Sequence, residues 1–116
     1  MKPRGDSVAI LTHFGRKSGK PFQVQIWWVE IDGGVWLGSL DPGRGWVRNL
    51  KASGRAVLDR GRGDEPIRCE WVADKAELER FRQQIRRKYP ILSRLLALFF
   101  PRESCAFRAH PTPDSR

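Results

Sequence analysis

Residues 14–22, FGRKSGKPF, gather anion-binding chemistry into one short connection: Arg16, Lys17 and Lys20 carry positive charge, Ser18 a hydroxyl, and Gly15 and Gly19 conformational freedom. Arg16 offers a planar fork to phosphate or carboxylate oxygens, the lysines offer point charges, and a glycine-permitted turn presents backbone N–H donors. The spacing is not that of a nucleotide-triphosphate loop. That motif needs four residues between its glycines, a Ser or Thr after the lysine, and a helix behind it. Here three residues separate Gly15 from Gly19, Pro21 follows Lys20, and a strand-like run comes next. Two readings stay open at this level: an anion site, and a solvated hairpin loop kept soluble by its lysines.

Other chemistry-bearing residues are sparse. Cys69, Cys105, His13 and His110 do not stand in zinc-ligand spacing, so no metal site is expected. Two distant cysteines behind a start without signal character fit a reducing cytoplasm better than a disulfide framework. The net charge of +9 on 116 residues favours an anionic partner: nucleic acid, a phosphate-bearing cofactor or an anionic lipid surface. No RNP pattern, zinc-finger spacing or KH loop supports nucleic acid, which therefore ranks last. The longest apolar run, ILSRLLALFF at 91–100, contains Arg94 and falls short of the roughly 20 residues that span a bilayer.

The elements that must position the basic loop read as follows. SVAILTHF at 7–14 is a β-branched, apolar strand, and FQVQIWWVEI at 22–31 alternates, with Phe22, Val24, Ile26 and Trp28 on one face. The turn Asp32-Gly33-Gly34 leads to a third strand, VWLGS at 35–39. WVRNLKAS at 46–53 fits a short helix ended by Gly54. RAVLDR at 55–60 and PIRCEWVA at 66–73 are two more strands around a turn at 61–65. Asp74 and Glu77 form a capping pair for a helix to about Tyr89, with Leu78, Phe81 and Ile85 at helical spacing. A second short helix up to Pro101 and a last strand at 103–110 complete one domain over 1–110, with a frayed tail at 111–116. This order predicts a mainly β (α+β), antiparallel barrel with helices at its ends, because the βαβ alternation of doubly wound folds is absent.

ILTHFGRKSGKP at 10–21, the Trp-rich strand behind it, SLDPGRG at 39–45 and GWVRNLKASG at 45–54 together resemble the deazaflavin-dependent nitroreductase family. The resemblance, to one branch of the flavin and deazaflavin oxidoreductases, covers about residues 8–73. It implies a split β-barrel like the pyridoxamine-phosphate oxidases and other FMN-binding split barrels, with a short helix after the third strand and helices near the C-terminus. It also implies the deazaflavin coenzyme F-420, with FMN as the alternative. By the resemblance, Arg16, Lys17, Ser18, Gly19 and Lys20 grip the coenzyme's phosphate and acidic tail. Gln25, Ile26, Trp27, Ser39 and Leu40 line its ring, and Trp46 and Asn49, in the WxxNL helix, border the groove. Members commonly carry Arg near Phe22, Pro near Gln25 and Lys where this chain has Leu40, so one expected phosphate cation is missing.

The implied activity is hydride transfer from the reduced coenzyme to an electron-poor small molecule: a nitroaromatic, quinone or enone. No residue is assigned as proton donor, although His13, Ser39 and Tyr89 are of suitable type. A rival reading is a non-catalytic protein of the same fold holding a fatty acid, haem or FMN. Trp27, Trp28, Trp36 and Trp46 suit either an aromatic wall for a flat ligand or the core of a small barrel. A homodimer contact and a peripheral membrane contact through 91–100 are the further uses that the C-terminal third admits, beside ordinary packing.

Overall fold

The computed structural model describes residues 8–39, 43–89 and 105–112. The described strands are β1 (Ala9–Phe14), β2 (Pro21–Ile31), β3 (Gly34–Ser39), β4 (Arg55–Asp59), β5 (Asp64–Trp71) and β6 (Cys105–Pro111), with helices α1 (Gly45–Ser53) and α2 (Lys75–Lys88). All strand pairs are antiparallel, and they close into a barrel in the order β1-β2-β3-β6-β5-β4. β2 is the long member: Pro21–Ile26 pair with β1, and Trp27–Ile31 pair with β3. One strand thus serves two neighbours in sequence, which staggers the barrel and carries the basic loop out past the β3 end.

Alternation along the strands sorts the apolar residues into two cores. Inside the barrel, Ala9, Leu11, Ile26, Trp28, Leu37, Leu58, Ile67 and Phe107 meet Trp46, Val47 and Leu50 of α1. Outside it, Val29, Ile31, Trp36 and Ala106 lie beneath Phe81 and Ile85 of α2. Trp28 and Val29 are therefore buried on opposite faces of β2, which accounts for the unbroken apolar run WWV. α2 begins as the capping pair requires, with Asp74 accepting from the Glu77 N–H at 3.0 Å. Its stripe of Leu78, Phe81 and Ile85 faces the sheet. Gly38 of β3 sits where the Phe81 ring meets the sheet, and any β-carbon there would collide with the ring.

Phe22 keeps the face it shares with Val24, Ile26 and Trp28 and stacks on His13, yet it is 49% exposed, because it lies beyond the stretch of β2 that pairs with β3. Two details differ from the sequence reading. The turn after β4 is tighter than 61–65, since Asp64 and Glu65 already pair with Asp59 and Leu58. β6 runs to Pro111, and the Thr112 hydroxyl donates to the Pro66 carbonyl at 3.0 Å, so order continues past the expected start of the tail. The expected helix over 91–101, together with Leu40, lies outside the described residues.

Candidate functional site

The loop between β1 and β2 is closed by its own backbone. The Gly15 N–H donates to the Lys20 carbonyl at 2.9 Å, and the Gly19 N–H donates to the Gly15 carbonyl at 3.0 Å. Gly19 takes φ +72, a left-handed conformation that a side chain disfavours. The Ser18 hydroxyl oxygen accepts from the Lys20 N–H at 3.1 Å and keeps its own proton to donate elsewhere. Arg16, Lys17 and Lys20 are exposed, and among the described residues no carboxylate pairs with them. That sets them apart from Arg60, Arg80, Arg86 and Arg108, each of which meets a Glu or Asp.

Arg16 is held from below. Its Nη1 donates to Asn49 Oδ1 at 2.8 Å, and Asn49 Nδ2 lies 3.0 Å from His13 Nδ1. Asn49 is buried on α1 between Trp46 and Leu50, which anchor that helix in the barrel core. His13 is the last inward residue of β1, buried and stacked on Phe22 at 5.8 Å. Desolvation lowers its pKa from the ordinary histidine value. The loop and the WxxNL helix, 33 residues apart in sequence, are thus joined at one end of the barrel.

The remaining expected site residues are distributed by strand alternation. Gln25 and Trp27 point to the outer face of β2, where Trp27 stacks on Tyr89 at 4.6 Å. Ile26 points inward and is buried among core side chains, so these three neighbours do not present one surface to a flat ring. Ser39 ends β3 opposite Cys105, half-buried. Trp46 is a core residue, packed 6.1 Å from Phe107. Four of the five tryptophans, those of the expected wall, make no common surface: Trp28 and Trp46 fill the barrel, Trp36 lies under α2, and Trp27 stands beside Tyr89. His13 and Tyr89 were named above only for their side-chain type. His13 meets Asn49, in keeping with the inward parity of Ala9, Leu11 and His13, and Tyr89 stacks on Trp27. A surface concavity of about 450 Å³ on α2, lined by Gln83, Gln84, Arg86 and Arg87, shares no residue with the loop. Among the described residues no three His, Cys, Asp or Glu side chains converge as metal ligands.

A staggered six-stranded barrel, with a cationic hairpin loop tied to a helix at one end, defines a split-barrel protein of the pyridoxamine-phosphate-oxidase and FMN-binding type. Solved structures agree on that fold. An F-420-H2 dependent reductase shares 22% identity, with 89% of this chain and 93% of that one covered at a TM-score of 0.68. HutZ, the haem storage protein of Vibrio cholerae, shares 14%, with 92% and 82% covered at 0.71. A Listeria innocua protein assigned as a pyridoxamine 5'-phosphate oxidase shares 10%, with 90% and 83% covered at 0.65. The family is narrower than the fold. The model of the F-420H(2)-dependent quinone reductase family matches residues 2–94, and the chain belongs to that family. No curated protein matches the chain. Coenzyme F-420 is accordingly its cofactor, and the chain is an oxidoreductase of the deazaflavin-dependent kind. The donor set fits such a group: three exposed cations without acid partners among the described residues, a hydroxyl and a glycine turn suit a phosphate with an acidic tail.

Proposed function

We propose that the protein reduces an electron-poor small molecule, a quinone before a nitroaromatic or an enone, with coenzyme F-420 held at the β1–β2 loop. When bound, the reduced deazaflavin supplies the hydride. The chain's own residues bind and orient. Arg16 and Lys17 meet the phosphate and acidic tail, Lys20 adds a point charge, and Ser18 donates its hydroxyl proton. Asn49 keeps Arg16 from swinging into solvent. Ser39, with Gln25 and Trp27 from the outer face of β2, borders the ring. The observation that carries this reading is the Arg16–Asn49 hydrogen bond of 2.8 Å, which brings the two sequence segments of the resemblance to one place. A cytoplasmic homodimer is part of the same reading, and light scattering at micromolar concentration tests the dimer.

The test is fluorescence titration of the purified protein with F-420, with FMN and haem as comparison ligands, followed by turnover with menadione and a nitroaromatic. Loss of a charge-assisted hydrogen bond costs about 1.5–3 kcal/mol, so Arg16→Ala should weaken F-420 binding about ten- to a hundredfold. Lys17→Ala should weaken it less. No F-420 binding below about 1 mM would sink the reading, and tight haem binding in its place would favour a storage protein of the same fold.

A further inference from the structure

We propose that His13 and Asn49 are positioning residues: together they aim Arg16 at the anionic part of the coenzyme, and they release it when His13 takes up a proton. The functional half of this inference rests on the F-420 reading above; the structural half does not.

The argument begins with donors and acceptors. A guanidinium only donates, so the Asn49 atom that meets Arg16 at 2.8 Å is its carbonyl oxygen. The amide N–H2 then faces His13 Nδ1 at 3.0 Å, and that nitrogen has to accept. His13 is thereby fixed as the neutral tautomer with its proton on Nε2. Donation runs one way, from Arg16 to Asn49 and from Asn49 to His13. A proton on Nδ1 would set an N–H against an N–H2. Turning the amide over would relieve that contact but would present the N–H2 to Arg16. Tether and imidazolium therefore exclude each other.

The surroundings do not offset this conflict. From β2, His13 meets the Phe22 ring. From α1 it meets Asn49, and the loop brings the Arg16 cation to the far side of that amide. From β4, Arg55 lies over the neighbouring Phe14 ring at 4.7 Å. Among the described residues no carboxylate hydrogen-bonds to His13. Burial disfavours the charged ring. A free arginine in an exposed loop carries about 2 kcal/mol of rotamer entropy, part of which a ligand must remove on binding. The tether removes it beforehand and leaves the other guanidinium donors for the ligand.

Ring-nitrogen NMR of the free protein tests the structural half. At pH 7.5 His13 should be the Nε2–H tautomer, with a pKa below about 6.5. The Nδ1–H tautomer, or a pKa at or above that value, overturns the relay whether or not F-420 binds. F-420 fluorescence titration from pH 5.5 to 8 tests the functional half. Wild-type affinity should fall about three- to tenfold toward pH 5.5, in keeping with one hydrogen bond. His13→Asn, whose carbonyl can accept from Asn49 without titrating, should keep the affinity and lose the pH dependence. Asn49→Leu should cost about three- to tenfold at pH 7.5 and nothing more in an Arg16→Ala background. An unchanged pH profile in His13→Asn overturns the proposal, as do additive losses in the double variant. Should F-420 not bind at any pH, the functional reading fails, and the NMR result alone decides the relay.

Discussion

Gly38→Ala is the most direct test of how the fold holds its second core. Gly38 pairs with Trp27 on one side and Ala106 on the other, and its missing side chain makes room for the Phe81 ring. A β-carbon there would fall far inside van der Waals contact with Cζ and Cε2 of Phe81, and 2.7 Å from the Cys105 carbonyl oxygen. The ring cannot simply turn away: Phe81 is buried at 3% exposure, parallel to Trp36 and packed with Val72 and Ile85. The carbonyl belongs to the adjacent strand and is held by the ladder. Overpacking of this kind costs about 1–3 kcal/mol, and the backbone contact puts this case at the upper end. Unfolding entropy of roughly 2.1 cal/mol/K per residue makes each kcal/mol worth about 4 °C for 116 residues, so the melting temperature should drop by about 8–12 °C. Thermal unfolding followed by circular dichroism measures it. Phe81→Leu in the Gly38→Ala background should recover part of the loss by making room for the methyl group. A Gly38→Ala protein melting within about 2 °C of wild type would refute the packing argument.

Burial pushes the Cys69 thiol up to about 12, which leaves very little thiolate at pH 8. Labelling by a disulfide reagent should be at least a hundredfold slower than for an unperturbed cysteine, whose pKa is about 8.5. Stability should fall with acid in two stages. The lowered His13 pKa gives stability that is complete above about 6.5 and is lost as pH falls from there toward the folded value, and His13→Asn should abolish this stage. Glu70, held down to about 2 chiefly by its hydrogen bond to Arg108 and then by His110, gives a smaller stage below about 4.3, weakened by its exposure to solvent. Urea midpoints between pH 8 and pH 3 check both stages. Leu40→Lys supplies the cation that the family resemblance leads one to expect. It should tighten F-420 binding about three- to tenfold at low salt and progressively less as salt is added.

Much of this protein follows from the sequence alone. The period-two alternation of β1 and β2, the turn at Asp32-Gly33 and the Asp74 cap are local signals, each enforced by the backbone within a few residues. They gave six described strands and two described helices in the right order. Residue type and the glycine turn of FGRKSGKPF fitted an anion site and a solvated hairpin loop alike, so the local sequence left both open. Tertiary structure decided which of those residues cooperate. Phe22 shares the face of His13 and Ile26 yet stays exposed, because the part of β2 that carries it pairs with β1 but not with β3. Trp46 became core because α1 packs into the barrel, whereas its neighbour Asn49, three residues along the same helix, turned to the loop. Above all, Arg16, Asn49 and His13 come together only when β1 and α1 close on one another. Hydrogen bonding depends on distance in space, and these partners lie 33 and 36 residues apart along the chain.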